Sequence, residues 1–406
     1  MSSTVLFLGA SPQQLAPIIY AKGAGYRVVT CDNRPENPGH ALADSCHEVS
    51  TLDREGVLAL ARAEAASAVV CYASDVSAPT AAYVAEQLGF PGNPLAAVEL
   101  LTSKSGFRAW QKVQGYFAPD HVGLHARDLQ EPQSTQARLL ARFVLPFVMK
   151  PIDASGAKGV SIVSSTLEVL PALELALEES RQGHAIAESF VERTGFQVCG
   201  EGFLVGGQIG FVAFSDEHFT DGIHVPVGET FPTSHDQDSV ARATKLLQDM
   251  FQRLGMRHGA FNFDLFFTVS GEIFVVEIGP RNGGNRMPDV VKLAYGVDLI
   301  AATVESALGH PVDLQGHTPA YCATYSVHAK RDGRLKRVHY DPALEPHITD
   351  WQQYIVCGEP VKRFRMGSQM IGNLMLEFAS AKEMLATMAR MDELVRVEFV
   401  EHVETT

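Results

Sequence analysis

Phe261-Asn262-Phe263-Asp264-Leu265-Phe266-Phe267-Thr268-Val269-Ser270-Gly271-Glu272-Ile273-Phe274-Val275-Val276-Glu277-Ile278-Gly279-Pro280-Arg281-Asn282-Gly283-Gly284-Asn285-Arg286 holds two apolar runs around a tight Ser-Gly turn. Aromatic and β-branched residues fill both runs, so the stretch reads as a hairpin of strands Ala260–Val269 and Glu272–Ile278. Asp264 interrupts the first strand and Glu277 ends the second, thirteen residues later. Strand pairing brings the two carboxylates to one place. An acid near a sheet interior is costly unless it is paired or bound to a cation. Magnesium, held by one or two carboxylates plus substrate phosphates, meets that need. The plain alternative is a pair of edge-strand acids in water, against which the apolar flanks argue.

Upstream lies a second constellation, Phe147-Val-Met-Lys150-Pro151-Ile-Asp-Ala-Ser155-Gly156-Ala-Lys158-Gly159-Val160. A lysine ends an apolar strand, and a small-residue loop then reverses into the next one. The Lys150 charge can sit against a nucleotide phosphate while loop N–H groups fold over the others. No G-x-x-x-x-G-K-[ST] occurs, so this is not a P-loop. An ordinary hairpin loop with a solvated lysine stays open as the other reading.

Toward the N-terminus, Val5–Leu8, Arg27–Cys31 and Ala68–Tyr72 are short apolar strands separated by helical stretches, the pattern of a parallel α/β sheet. Gly9 stands alone where a dinucleotide fingerprint needs three glycines, so Asp32 reads as a strand-end cap. The turn-rich Leu88–Pro94 suggests a junction, a helix is expected from Leu95 to Gln114, and residues 121–142 read as a surface connection. Later expectations are a helix over Gln237–Leu254, another around Pro288–Gly309, strands at Ala320–Ala329 and Gln353–Val356, and a last helix at Ala381–Met391.

With 406 residues the chain is too long for one ordinary core. Lys and Arg number 33 against 47 Asp and Glu, a formal net charge of −14 with no basic run, which argues against nucleic acid as a partner. The six cysteines are scattered without metal spacing and read as reduced thiols of a cytoplasmic protein. No apolar stretch approaches the roughly 18 residues of a membrane span, so no membrane partner is expected.

Lys150-Pro with its Gly-rich loop, Ala187-Glu188-Ser-Phe-Val191-Glu192, Asp264, and Glu277-Ile-Gly-Pro-Arg281-Asn-Gly-Gly follow one another at intervals that resemble the ATP-grasp superfamily. That group includes biotin carboxylase, carbamoyl-phosphate synthetase and the L-amino-acid ligases. The resemblance runs from about residue 1 to 310. It implies α/β and α+β architecture: an N-terminal parallel α/β domain (1–98), a two-lobed ATP-grasp domain (99–312, lid lobe about 125–190) and a small C-terminal α+β domain (313–406). It implies ATP and Mg2+ as cofactors, with Mn2+ as a substitute. Lys104 and Lys150 would meet the phosphates, with Ser155, Gly156, Lys158 and Gly159 in a loop over them. Glu188 to Val191 would form the adenine hinge, and Glu192 would reach the ribose. Asp264 and Glu277 would hold the metal, and Arg281 would face the transferred phosphoryl group.

Two departures stand out. Gly279 takes the place where many members carry an asparagine as a further metal ligand, and the ribose acid after the hinge has no clear counterpart beyond Glu192. For substrate, Asn285 and Arg286, His224 and Glu229, and Ser74 and Asp75 at a parallel strand end are the candidates. The expected function is an ATP-dependent carboxylate–amine ligase acting through an acyl phosphate, with small-molecule acid and amine substrates and a homodimer as the assembly in view. A carboxylase or purine-pathway ligase, and a non-catalytic nucleotide-binding protein, are the alternatives.

Overall fold

The computed structural model describes residues 2–154, 158–220 and 225–400. Strand β1 (Thr4–Leu8) is buried along its whole length, as befits a parallel strand covered on both faces. Helix α1 (Leu15–Gly23) follows it, then β2 (Arg27–Cys31), β3 (Ser45–His47), α2 (Arg54–Ala63), β4 (Ala68–Cys71) and α3 (Ala78–Leu88). The sheet order is β3-β2-β1-β4, all parallel. Leu6, Leu8 and Val29 face α2 and α3, while Val5, Phe7 and Val28 face Ile18 of α1. Asp32 closes the end of β2 by accepting N–H bonds from Ala10 and Arg34, both at 3.0 Å.

The helix expected from Leu95 to Gln114 is two, α4 (Leu95–Leu101) and α5 (Lys104–Val113). Thr102 bonds back to the Val98 carbonyl at 3.0 Å, and Ser103 then caps a new helix by accepting from Gly106 N at 3.3 Å. Local side-chain bonds of this kind compete with helix continuation. Residues 121–142 are likewise no mere connection. They hold β5 (His121–His125) and α6 (Pro132–Arg142). With β6 (Phe147–Pro151), β7 (Ser161–Val163), α7 (Val169–Glu178) and β8 (His184–Ser189) they build an antiparallel sheet of order β5-β8-β6-β7 over Leu139, Phe147, Met149 and Leu173.

The largest layer follows: β9 (Val198–Val205), β10 (Gln208–Phe219), β11 (Pro226–Phe231), α8 (Gln237–Leu254), β12 (Gly259–Phe267), β13 (Ile273–Gly279), α9 (Met287–Tyr295), α10 (Leu299–Ala307) and β14 (Tyr321–Val327). Beyond these come β15 (Gly333–Tyr340), β16 (Ile348–Gln353), β17 (Pro360–Val361), β18 (Gly372–Phe378), α11 (Ala381–Met388), α12 (Met391–Leu394) and β19 (Val395–Phe399). Eight strands form one sheet in the order β13-β12-β9-β10-β11-β14-β18-β16. Leu247, Met250 and Phe251 of α8 cover one face against Phe261 and Phe263. Val290, Val291 and Leu299, from α9 and α10, cover the other against Phe203 and Ala260.

The long helix expected around 288–309 divides at Gly296, which sits at φ +78°, and Asp298 caps α10 at Ala301 N (2.9 Å). The strand expected at Gln353–Val356 lies earlier, at β16, and the last expected helix stops at Met388. Residues beyond 313 do not stand apart: β14, β18 and β16 extend the central sheet, and β17, β15 and β19 make a small sheet beside it.

Candidate active site

Lys150 and Glu188 are diagonal neighbours on β6 and β8, since Val148 pairs with Glu188. The Lys150 Nζ lies 2.6 Å from Glu188 Oε2, and both residues are buried. Arg108, fully buried on α5, approaches the other carboxylate oxygen at 2.7 Å. The same guanidinium donates to the Val276 carbonyl at 2.7 Å and to Gln111 at 3.0 Å, and it lies 4.6 Å above the Phe274 ring. A three-residue charge network therefore ties the β5-β8-β6-β7 sheet to β13. The sequence reading missed Arg108. Its signal is the i, i+4, i+7 alignment of Lys104, Arg108 and Gln111 on one face of α5. Glu188 was expected in a nucleotide hinge that acts largely through backbone groups, and its carboxylate is taken up by these two cations.

Lys104 opens α5, donates to the Ala154 carbonyl at 2.7 Å and lies 3.4 Å from Glu277 Oε2. Asp264 stands directly opposite Glu277 in the β12–β13 pair, and a register shift follows it. On its other side Asp264 faces Cys199 of β9. Ligand atoms of Asp264, Cys199 and Glu217 all lie within 4.8 Å of one another.

Arg281 crosses over Gly279. One nitrogen donates to Asn262 Oδ1 at 2.6 Å and to the Asn282 carbonyl at 3.1 Å, and the other pairs with Asp75. Among the described residues its Nε has no hydrogen-bond partner. A β-carbon on Gly279 would run into Asn262 and the guanidinium, so glycine is there to let the arginine pass. A cavity of about 320 Å3 opens beside this group, lined by Asp75, Lys104, Asp153, Arg181, Glu277 and Gly279.

Other candidates fall elsewhere. Arg286 takes a left-handed backbone (φ +63°) at the start of α9, directly after Asn285 (φ +53°). Its side chain is already engaged, 2.7 Å from Asp350 and 3.5 Å from Asp289. Asn285 donates its N–H to Gln13 at 3.0 Å. Ser74 meets the Ser77 hydroxyl at 2.8 Å. Val191 is half-buried and Glu192 exposed in the link between β8 and β9. Lys158 is half-buried, and Gly159 takes φ +69° against Pro151 and Glu179. Ser155, Gly156 and His224 lie outside the described residues. Glu229, on β11, is buried opposite Glu217 and accepts the Thr324 hydroxyl.

Burial lowers the Lys150 ammonium to about 8 despite Glu188. It also opposes the Glu188 charge, yet Lys150 and Arg108 outweigh it and hold that carboxyl at about 2. Desolvation and then Glu277 push Asp264 well above the usual carboxylate range. For Glu277, Lys104 and Arg281 overcome burial and keep it ionised. Asp264 therefore holds a proton more readily than Glu277 beside it. A divalent cation would take the place of that proton, which is the fit a carboxylate-held metal requires. Glu201, also missed from sequence, is fully buried under the Gly283 turn. It accepts Gly283 N at 2.6 Å, and desolvation raises it to about 8.

Comparison with known proteins places this arrangement. No family model matches the chain. It is 32% identical over 338 residues to a formate-dependent phosphoribosylglycinamide formyltransferase of Burkholderia thailandensis, covering 79% of each chain. It is 26% identical over 294 residues to the uncharacterized protein y4rH of Sinorhizobium fredii, covering 70% of this chain and 58% of that one. The chain thus spans little more than half the length of y4rH. Among solved structures, an L-amino acid ligase from Bacillus licheniformis superimposes with a TM-score of 0.79 at 17% identity, covering 98% and 99% of the two chains. The biotin carboxylase domain of a Hydrogenobacter thermophilus 2-oxoglutarate carboxylase, solved with MgADP and bicarbonate, gives 0.73 at 16% identity, covering 99% and 92%. The chain belongs to the ATP-grasp ligases, the family of the formate-dependent phosphoribosylglycinamide formyltransferases. It is an enzyme of the class that forms C–N bonds at the expense of ATP. Among the described residues no helix is long and apolar enough to cross a membrane.

Proposed function

We propose that the chain transfers the γ-phosphoryl group of ATP to a carboxylate and passes the resulting acyl phosphate to an amine. The observation that carries this reading is Asp264 directly opposite Glu277, with Lys104 3.4 Å from Glu277 and Arg281 reaching across Gly279 beside them. Phosphoryl transfer is mostly positioning and charge neutralisation, and this group supplies both. Lys104 and Lys150 hold the phosphates. Arg281 turns its planar fork on the oxygen that gains charge. Asp264 and Glu277 hold magnesium, or manganese in its place, and that ion supplies charge neutralisation at the phosphates. The cavity beside Lys104 and Glu277 receives the acid, and the lid sheet, linked to β13 through Arg108, keeps water from the acyl phosphate. A homodimer is the assembly to test first. The six free cysteines fit a cytoplasmic setting.

The test is ADP release that requires both an acid and an amine. Glu277→Gln should lower kcat about a hundredfold or more at millimolar magnesium, the scale of losing one transition-state contact. Turnover within a few-fold of wild type would remove the metal role. The 32% relative favours a second reading, with formate as the acid and a phosphoribosyl amine as acceptor. ADP release that depends on formate would select it.

A further inference from the structure

Most cations around the site already have a carboxylate: Lys104 has Glu277, Lys150 and Arg108 share Glu188, Arg281 has Asp75, and Arg286 has Asp350 with Asp289, while Arg181 at the cavity donates to the Asp153 carbonyl. Among the described residues Glu217 and Glu229 are in no such pair. Among the described residues neither lies within ion-pair distance of a lysine, arginine or histidine. The two are direct cross-strand partners on β10 and β11, a position where like charges repel. Each is only 5% exposed. Glu229 accepts the Thr324 hydroxyl, whereas Glu217 Oε2 is buried with no hydrogen-bond partner.

Register puts this pair on the metal-facing side of the sheet. Asp264 pairs with Cys199, Cys199 pairs with Ser215, and Glu217 follows Ser215 by two residues on the same face. A divalent ion on Asp264 and Glu277 would lie beside Glu217, whose carboxylate is within 4.8 Å of Asp264, but would leave Glu229 across the strand without a counter-charge. A magnesium ion fits this place poorly, because the ligand set that Glu217 shares with Asp264 is completed by the Cys199 thiol, which already meets Ser215 Oγ at 3.0 Å. Magnesium takes oxygen ligands and keeps several waters.

We propose that Glu217 and Glu229 form the pocket for a protonated primary amine, an ammonium group that a substrate carries but that does not itself react. An ammonium offers three donors and one positive charge, which suits two converging carboxylates. This deepens the ligase reading and rests on it: the substrate class is amino acids or diamines. Arg193, a described cation that acts on Glu217, lies outside ion-pair distance of both acids and donates to the Gly195 carbonyl, so a phosphorylated sugar would find little positive charge directly beside the pair.

The experiment measures ADP release with L-amino acids and diamines, each beside its deaminated or N-acetylated analogue, for wild type, Glu217→Gln and Glu229→Gln. For ammonium-bearing substrates KM should rise about tenfold or more in both variants, the scale of losing a charged hydrogen bond. KM for ATP and the magnesium half-saturation should stay within twofold. A shift in magnesium half-saturation instead would make the two acids metal ligands and overturn the proposal. So would equal turnover of the deaminated analogues. ADP release only with a phosphoribosyl amine would overturn the ammonium pocket and leave the ligase reading standing. Melting curves in saturating Mg·ADP with the same amine panel give a readout free of turnover. The wild type should be stabilised by at least one compound that leaves Glu217→Gln unmoved. No such compound also overturns the proposal, even if no panel member gives turnover.

Discussion

At the scale of single residues, Glu229 carries its own pH test. Burial raises its carboxyl to about 7, above the ordinary 4.5. A raised acid favours the folded state below pH 4.5, and that contribution is lost as pH climbs from 4.5 through 7. Glu229→Gln should therefore unfold at the same denaturant concentration as wild type near pH 4.5. Above pH 7, without nucleotide or metal, it should be more stable by up to about 3 kcal/mol. Urea titrations at the two pH values check this, and a variant less stable than wild type at pH 8 would contradict it. Lys150→Ala should weaken ATP binding by roughly 1.5–3 kcal/mol in calorimetry. Glu188 would keep only Arg108, so the melting temperature should fall too. Arg108→Ala should be worse, about 3–5 kcal/mol, because it strips a buried carboxylate of a partner. Lys150, Asp264 and Glu277 were legible because each interrupts or ends an apolar run. Arg108 was not. Its partners Glu188 and Val276 lie 80 and 168 residues away, and an arginine on a mixed helix looks solvated until they arrive.

Among elements, α5 shows what a capping residue does for a site. Ser103 accepts the Gly106 N–H, and the next residue is Lys104. Ser103→Ala should lower stability by about 1 kcal/mol. It should also raise the KM for ATP, because the first turn that aims Lys104 frays. An unchanged KM would show that the Ala154 carbonyl alone holds that lysine. The break before Ser103 went unread because periodicity runs through it, while the Thr102 hydroxyl that ends α4 acts locally. The β12–β13 hairpin was legible from its aromatic and β-branched runs and its turn. By contrast, β5 has one buried residue in five, Leu124, and its partner β8 lies far along the chain. Gly279 belongs to this scale as well: what looked from sequence like a missing metal ligand is the gap through which Arg281 reaches Asn262.

In the molecule as a whole, the parallel N-terminal layer could be anticipated from strand spacing, whereas the full extent of the β5-β8-β6-β7 sheet and the reach of the central sheet could not. Pairing of β11 with β14 joins Gly228–Phe231 to Cys322–Tyr325, and no local pattern announces a partner so distant. That ladder has a consequence for anyone trimming the chain. A polypeptide ending at 312 would leave β11 as a bare edge, with Phe231 and Val227 stripped of neighbours on β14 and an open row of backbone donors and acceptors. Such an edge recruits another strand from solution. The shortened protein should sediment as polymers, not as a monomeric ATP-binding core. Light scattering of the fragment against the full chain, at equal concentration, would register the difference. The last hundred residues then serve the first three hundred as a plug against self-assembly.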